Sequence, residues 1–255
     1  MWRWTSLYDR YQTVDSNHKA YDHSASFTRI DDILATPQGN YEEVDELPDR
    51  NLLTFKNGFY ARCSAIFVDI RDSSSLPSKY NRPKLAKLYR AYISEVVAIL
   101  NSSELAREIN IVGDGVWAVF NTPLKKHADE IFDLTAQVNS LMKVLNYKLN
   151  KAGFDKGPIK VGIGASDGRA LMIKAGYSGS TINDVVYMGD VVNHAAKLAA
   201  QASKDGADPI FVSNDIEYYL ADKYKGFCNK NWTYDCYTAG VVNIAMSDWY
   251  DQNCT

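Results

Sequence analysis

The chain has 255 residues, with 28 basic against 31 acidic side chains and a formal charge of -3 at neutral pH. Its 46% hydrophobic share is enough to bury a large core, which excludes wholesale disorder, and the absence of any basic block gives no sign of a nucleic-acid surface. The four cysteines, Cys63, Cys228, Cys236 and Cys254, form no CxxC pair, so neither a zinc site nor a disulfide framework is expected.

Residues 1–58 are polar and rich in Asp, Tyr and Ser, and are read as an N-terminal extension before a main domain over 59–255. The start, Met1-Trp2-Arg3-Trp4-Thr5-Ser6-Leu7-Tyr8-Asp9-Arg10, lacks the apolar run of a signal peptide. No stretch reaches the roughly 20 apolar residues of a membrane span, so a cytoplasmic protein without direct membrane insertion is expected. Phe27–Leu34 is helix-like, and Pro37-Gln38-Gly39-Asn40 reads as a turn. Tyr60–Ile70 is rich in strand formers. Asn81 before Arg82-Pro83 marks a helix start, with Leu85, Leu88, Tyr92, Val96 and Ile99 at helical spacing. Glu108–Val112 and Val116–Phe120 flank Gly113-Asp114-Gly115 as the arms of a tight hairpin. A long helix is expected over 125–149, with Ile131, Leu134, Val138, Leu141 and Leu145 on one face.

Ile159–Ala165 and Arg169–Ala175 read as two strands around Asp167-Gly168, followed by a Gly/Ser-rich loop. Asp190–Ala202 is helical, Pro209–Val212 a strand, Asn214–Leu220 a short helix, and the tail returns to strand at Trp232–Thr238 and Val241–Ala245. Helices thus alternate with hairpins rather than with single parallel strands. That order predicts an α+β fold, a mainly antiparallel sheet with covering helices, over a doubly wound one.

Two aspartates stand out by position. Asp69 ends the apolar run Ile66-Phe67-Val68-Asp69-Ile70, and Asp114 sits at the hairpin tip. An ionised carboxylate beside a buried strand is costly unless something offsets it. One divalent cation held by both would do so, since Mg2+ and Mn2+ prefer hard oxygen ligands. The plain alternative makes Asp114 a turn residue and Asp69 a cap before Ser73-Ser74-Ser75. A third element is Tyr187-Met188-Gly189-Asp190-Val191-Val192-Asn193-His194-Ala195-Ala196-Lys197-Leu198. On a helix, Asn193 and Lys197 share a face. An amide and a cation one turn apart suit orienting a ribose and neutralising charge on a transferring phosphoryl group; the alternative is an ordinary amphipathic helix. His194 points to another face and is read as structural.

These segments, in this order, resemble the class III adenylyl/guanylyl cyclase catalytic domain family over roughly residues 60–240. The matching pieces are Phe67-x-Asp69-Ile70, Val112-Gly113-Asp114-Gly115-Val116-x-Ala118-Val119-Phe120, Val161-Gly162-Ile163-Gly164 and Gly189-Asp190-x-Val192-Asn193-x-Ala195-x-Lys197-Leu198. The resemblance implies the class III nucleotidyl cyclase fold with its ferredoxin-like core, and a head-to-tail homodimer with active sites at the interface. It implies that Asp69, Asp114 and the backbone carbonyl of Ile70 bind two divalent metal ions, Mn2+ or Mg2+. The ribose 3′-hydroxyl of a nucleoside triphosphate would attack the α-phosphate in line and expel pyrophosphate. Asn193 would place the ribose from the other subunit, and Lys197 would stabilise the transition state. Ser73, Ser74 and Lys160 are the phosphate-binding candidates, with Lys230 a further possibility for the terminal phosphates.

Three positions depart from the usual pattern of that family. Lys197 stands where Arg is usual, keeping the charge but losing the fork. Asn110 and Val186 replace the pair that reads a purine edge. Asn110 can donate and accept, and so can read uracil or cytosine. The combination resembles the bacterial Pycsar pyrimidine (uridylate/cytidylate) cyclases, antiviral enzymes whose cyclic UMP or cyclic CMP activates a separately encoded effector. UTP is favoured over CTP as substrate. The alternatives are an adenylate cyclase that selects its base by other residues, and a cyclase-like pseudoenzyme acting as a regulatory dimer.

Overall fold

The computed structural model describes residues 17–178 and 182–254. The start of the chain, where the sequence shows no signal-peptide run, and the centre of the Gly/Ser-rich loop lie outside the described residues. In chain order the elements are α1 (His23–Leu34), β1 (Tyr41–Glu43), β2 (Gly58–Ile70), α2 (Leu76–Lys79), α3 (Arg82–Leu100), β3 (Ala106–Val112), β4 (Gly115–Asn121) and α4 (His127–Lys151). They continue with β5 (Val161–Gly176), β6 (Asn183–Met188), α5 (Asp190–Gln201), β7 (Ile210–Val212), α6 (Asn214–Tyr219), α7 (Asp222–Lys225), β8 (Asn229–Asn231), β9 (Cys236–Ala239) and α8 (Ile244–Asn253).

By its internal contacts the chain forms two units. The larger takes Asp45–Leu47, Ala61–Ala170 and everything from Gly189 on. Its strands run in the order β3-β4-β2-β5-β7-β9-β8. Apart from the parallel β5–β7 pair, the pairs β2–β4, β3–β4, β7–β9 and β8–β9 of this unit are antiparallel, as helices alternating with hairpins require.

Each face of this sheet is covered by different helices, for reasons the sequence carries. On α3, Asn81 caps the first turn by accepting from the Lys84 N–H at 3.0 Å. Leu88, Tyr92, Val96 and Leu100, spaced by four, then form its buried stripe. That stripe meets Ile131, Val138 and Leu145 of α4 and the Ile66, Val68 and Ile70 side of β2 in one core. On the opposite face lies α5, brought close by two glycines. A Cβ on Gly164 would stand 2.1 Å from the Ala195 carbonyl oxygen, and one on Gly162 would stand 2.2 Å from that of Ala199. Only a bare backbone admits a helix at that range. Leu198 and Ala202 then pack on Phe211 and Cys236 in a smaller cluster.

The smaller unit takes the residues up to Val44, Pro48–Tyr60 and Leu171–Met188. In it β1 pairs in parallel with the start of β2, and β6 pairs with the end of β5. Asp22 caps α1 by accepting from the Ala25 N–H at 3.1 Å, and Arg50 pairs with Asp184 at 3.1 Å.

Three expectations need correction. Asp167-Gly168 is no turn: β5 runs unbroken over 16 residues. Asp167 is buried and accepts from Ser64 Oγ at 2.8 Å, from Thr122 Oγ1 at 3.2 Å and from Arg62, so three neighbours satisfy a residue that locally signals a bend. The hairpin partner of β5 is β6, with Gly176 opposite Asn183. In the tail, β8 begins at Asn229 and Trp232–Asp235 is the turn, where Asp235 takes a positive φ of 46°. Val241–Ala245 does not form a strand, because Asn243 accepts from the Met246 N–H and starts α8. Among the described residues no helix is long and apolar enough to cross a membrane, and the four cysteines are free thiols.

Candidate active site

Strand pairing brings the two aspartates together. β2 and β4 are antiparallel, with Val68 opposite Val116, so Asp69 comes level with Gly115. Asp114 is one residue earlier, on the two-residue turn between β3 and β4, where Gly113 supplies the positive φ of 64° such a turn demands. A Cβ on Gly115 would stand 3.6 Å from Asp69 Oδ1, an ordinary contact distance that puts the carboxyl group against the hairpin. Burial, followed by the charge of the neighbouring Asp114, raises the Asp69 pKa above the usual carboxylate range, against the opposing pull of Arg71. Asp114 Oδ2 is buried without a hydrogen-bond partner among the described residues. Paired carboxylates with an orphaned buried oxygen are costly as they stand and suited to a hard cation.

Among the described residues no group of three or more His, Cys, Asp or Glu is placed to hold a metal. A cation at this pair would therefore draw its other ligands from the backbone, with Ile70 adjacent, and from water or phosphate, which is how Mg2+ is commonly held. The residues present fit such a group. Behind the pair, the hydroxyl of Tyr92 on α3 is buried without a partner among the described residues. Burial and the two aspartates hold it protonated.

Asn193 and Lys197 lie one turn apart on α5, both exposed to solvent. Neither side chain makes a hydrogen bond or ion pair with the carboxylates, so the structure does not join these two groups within one chain. Their neighbour His194 is half-buried, with Nδ1 3.3 Å from Ser166 Oγ, and burial and then Lys197 lower its pKa. That favours a neutral, packed imidazole.

Register also places the base-reading candidate. Asn110 on β3 pairs with Trp117 on β4, which pairs with Phe67 on β2. Directly opposed residues share a sheet face, so the three form a row, with the Phe67 and Trp117 rings stacked at 5.5 Å and 5°. All three are partly exposed. Val186 sits on β6 opposite Ile173, 38% exposed; it belongs to the smaller unit.

Ser73 and Ser74 open a 3-10 turn after Asp72, whose φ is 53°. The Arg71 N–H, two residues before Ser73, is given to the Lys160 carbonyl at 2.8 Å. The Lys160 side chain is exposed. Lys230 is engaged, donating to Asn214 Oδ1 and Asp235 Oδ1 at 2.7 Å each. Sequence reasoning missed two groups here. One is Arg71, whose Nη2 donates to Asp69 Oδ2 at 2.7 Å; the signal available was a basic residue two places after a candidate metal ligand. The other is Trp117, visible as a large aromatic three places after Asp114.

A mainly antiparallel sheet with helices on both faces, with a carboxylate pair at a strand end and hairpin tip, fits a nucleotidyl cyclase domain. The chain belongs to the adenylate and guanylate cyclase catalytic domain family, whose model matches residues 56–244. It is 40% identical to a protein of Gulbenkiania mobilis named uridylate cyclase, over 93% of this chain and 99% of that one. A second uridylate cyclase, from Treponema porcinum, is 36% identical over 91% of this chain and 82% of its own length. The fold is also that of the adenylyl cyclase CyaB from P. aeruginosa, with a TM-score of 0.57 and 21% identity over 68% of this chain and 85% of that one.

Proposed function

We propose that the chain is a pyrimidine nucleotide cyclase, closing UTP, and less readily CTP, into the 3′,5′-cyclic monophosphate with release of pyrophosphate. The observation that carries this reading is the Asp69–Asp114 pair with its orphaned buried oxygen. Two divalent cations held by Asp69, Asp114 and the Ile70 carbonyl would draw charge from the phosphates and ease loss of the 3′-hydroxyl proton to water. The 3′-oxygen forms its bond to the α-phosphorus as the bond from that phosphorus to the bridging oxygen breaks, and pyrophosphate leaves with the electron pair.

Asn193 orients the ribose and Lys197 places a positive charge on the α-phosphate as its charge builds. Both stand on an exposed face of α5, away from any bond to the carboxylates, which supports a site completed by a second copy in a head-to-tail homodimer. Ser73, Ser74 and the exposed Lys160 contribute to holding the triphosphate. Asn110 reads the pyrimidine edge. Its amide has no hydrogen-bond partner among the described residues and lies in register with the Phe67–Trp117 stack, and apolar Val186 takes part in base selection by leaving no polar group for a purine edge. The names of the two relatives support the pyrimidine reading. Residues 1–58 are proposed as an extension to the catalytic domain over 59–255, in a cytoplasmic protein whose product acts on a separately encoded effector in antiphage defence.

The test is incubation of the purified protein with Mn2+ and each of ATP, GTP, CTP and UTP, with products identified by mass spectrometry. Cyclic UMP is the expected main product. Cyclic AMP or GMP as the main product would overturn the roles given to Asn110 and Val186. No cyclic product from any of the four would overturn the cyclase reading itself.

A further inference from the structure

Arg71 directly follows Ile70, and its side chain is only 10% exposed. Nη2 donates to Asp69 Oδ2 at 2.7 Å, while Nη1 donates to the carbonyl of Ala200 in the last turn of α5 at 3.0 Å. The seat exists because position 162 has no side chain: a Cβ on Gly162 would stand 3.0 Å from Arg71 Cζ. The guanidinium fork is therefore divided between a carboxylate and a helix end, rather than given to the carboxylate as a bidentate pair. One arm can let go while the other holds, because a cation at the C-terminal carbonyls of α5 is favourable in its own right. The arm that can let go occupies Oδ2 of an aspartate already crowded by the charge of Asp114.

We propose that Arg71 is a positioning residue that serves as the resident counter-cation of the carboxylate pair. It holds the Asp69 side chain in place while the pair carries no metal, and surrenders Oδ2 to an entering divalent cation while staying moored to α5. This rests on the reading of Asp69 and Asp114 as metal ligands. Arg71 then competes with the metal, by occupying a ligand oxygen and by charge repulsion. Free metal binds weakly, and firm binding waits for the triphosphate, which brings oxygen ligands and negative charge of its own.

The experiment is Mn2+ binding to the full chain without nucleotide, read by electron paramagnetic resonance, for wild type, Arg71→Gln and Arg71→Lys. Glutamine keeps a polar amide at this position but carries no charge. Arg71→Gln is expected to bind Mn2+ about tenfold more tightly than wild type, and Arg71→Lys to stay within about threefold of it. The rise in melting temperature on adding Mn2+ should likewise be larger for Arg71→Gln, a second readout on folded protein that does not involve activity. Equal or weaker Mn2+ binding by Arg71→Gln would overturn the proposal. So would wild-type Mn2+ binding that Asp69→Asn leaves unchanged. Failure of the cyclase reading shows separately, as a wild type that binds Mn2+ but yields no cyclic product from any triphosphate.

Discussion

Replacing either Asp69 or Asp114 by asparagine is expected to reduce cyclic nucleotide formation by about a thousandfold or more while leaving the protein folded. The size follows from the chemistry: metal stabilisation of the developing phosphoryl charge is worth several kcal/mol, and about 4 kcal/mol is roughly a thousandfold in rate. An amide offers a neutral oxygen where the cation needs charge. The prediction on stability separates this from general damage. In the metal-free protein burial and the charge of Asp114 raise the Asp69 pKa, and Asp114 Oδ2 has no partner among the described residues. Removing one charge relieves that repulsion, so with a chelator present Asp114→Asn should melt at or above the wild-type temperature. Loss of activity together with a much lower melting temperature would instead make the pair a structural element of the β3–β4 hairpin.

Lys197→Ala is the second large effect expected: kcat falls about a hundred- to a thousandfold while KM changes little, since the cation acts on charge present mainly in the transition state. Lys197 is exposed and makes no hydrogen bond or ion pair among the described residues, so its removal should not alter thermal stability. Lys197→Arg, which keeps the charge and adds a fork, should retain most of the activity. Steady-state kinetics with UTP decide it. A rise in KM with kcat unchanged would make Lys197 a ground-state phosphate contact.

What could be read ahead of the structure was what local pattern encodes. Asn81 and the four-residue spacing of Leu88, Tyr92 and Val96 announce α3, and Gly113-Asp114 between two apolar arms announces the hairpin that carries half of the carboxylate pair. Errors arose where distant contacts override local signals. Asp167-Gly168 has turn chemistry, yet Ser64, 103 residues away, and Thr122, 45 residues away, satisfy the carboxylate inside a sheet. β6 was missed because Asn183 and Asp184 open a strand in which only Val185 and Tyr187 are buried. Val241-Val242 looks like a strand until Asn243 caps the next helix.

The site divides the same way. The convergence of Asp69 and Asp114 follows from strand order and one turn, both local enough to anticipate. The seat of Arg71 depends on Ala200, 129 residues further along, and on the bare backbone at Gly162. A pattern of side chains in sequence does not display either one.

On the proposed reading each chain carries two complementary halves of a site, Asp69 and Asp114 in one half and Asn193 and Lys197 in the other. The most direct measurement mixes two inactive variants, Asp69→Asn and Lys197→Ala, allows subunits to exchange, and follows cyclic UMP formed from UTP. A heterodimer of the two has one site with both defects and one with neither. Random exchange should therefore restore about a quarter of wild-type activity. No recovery, with exchange confirmed by differently tagged chains, would contradict the composite site.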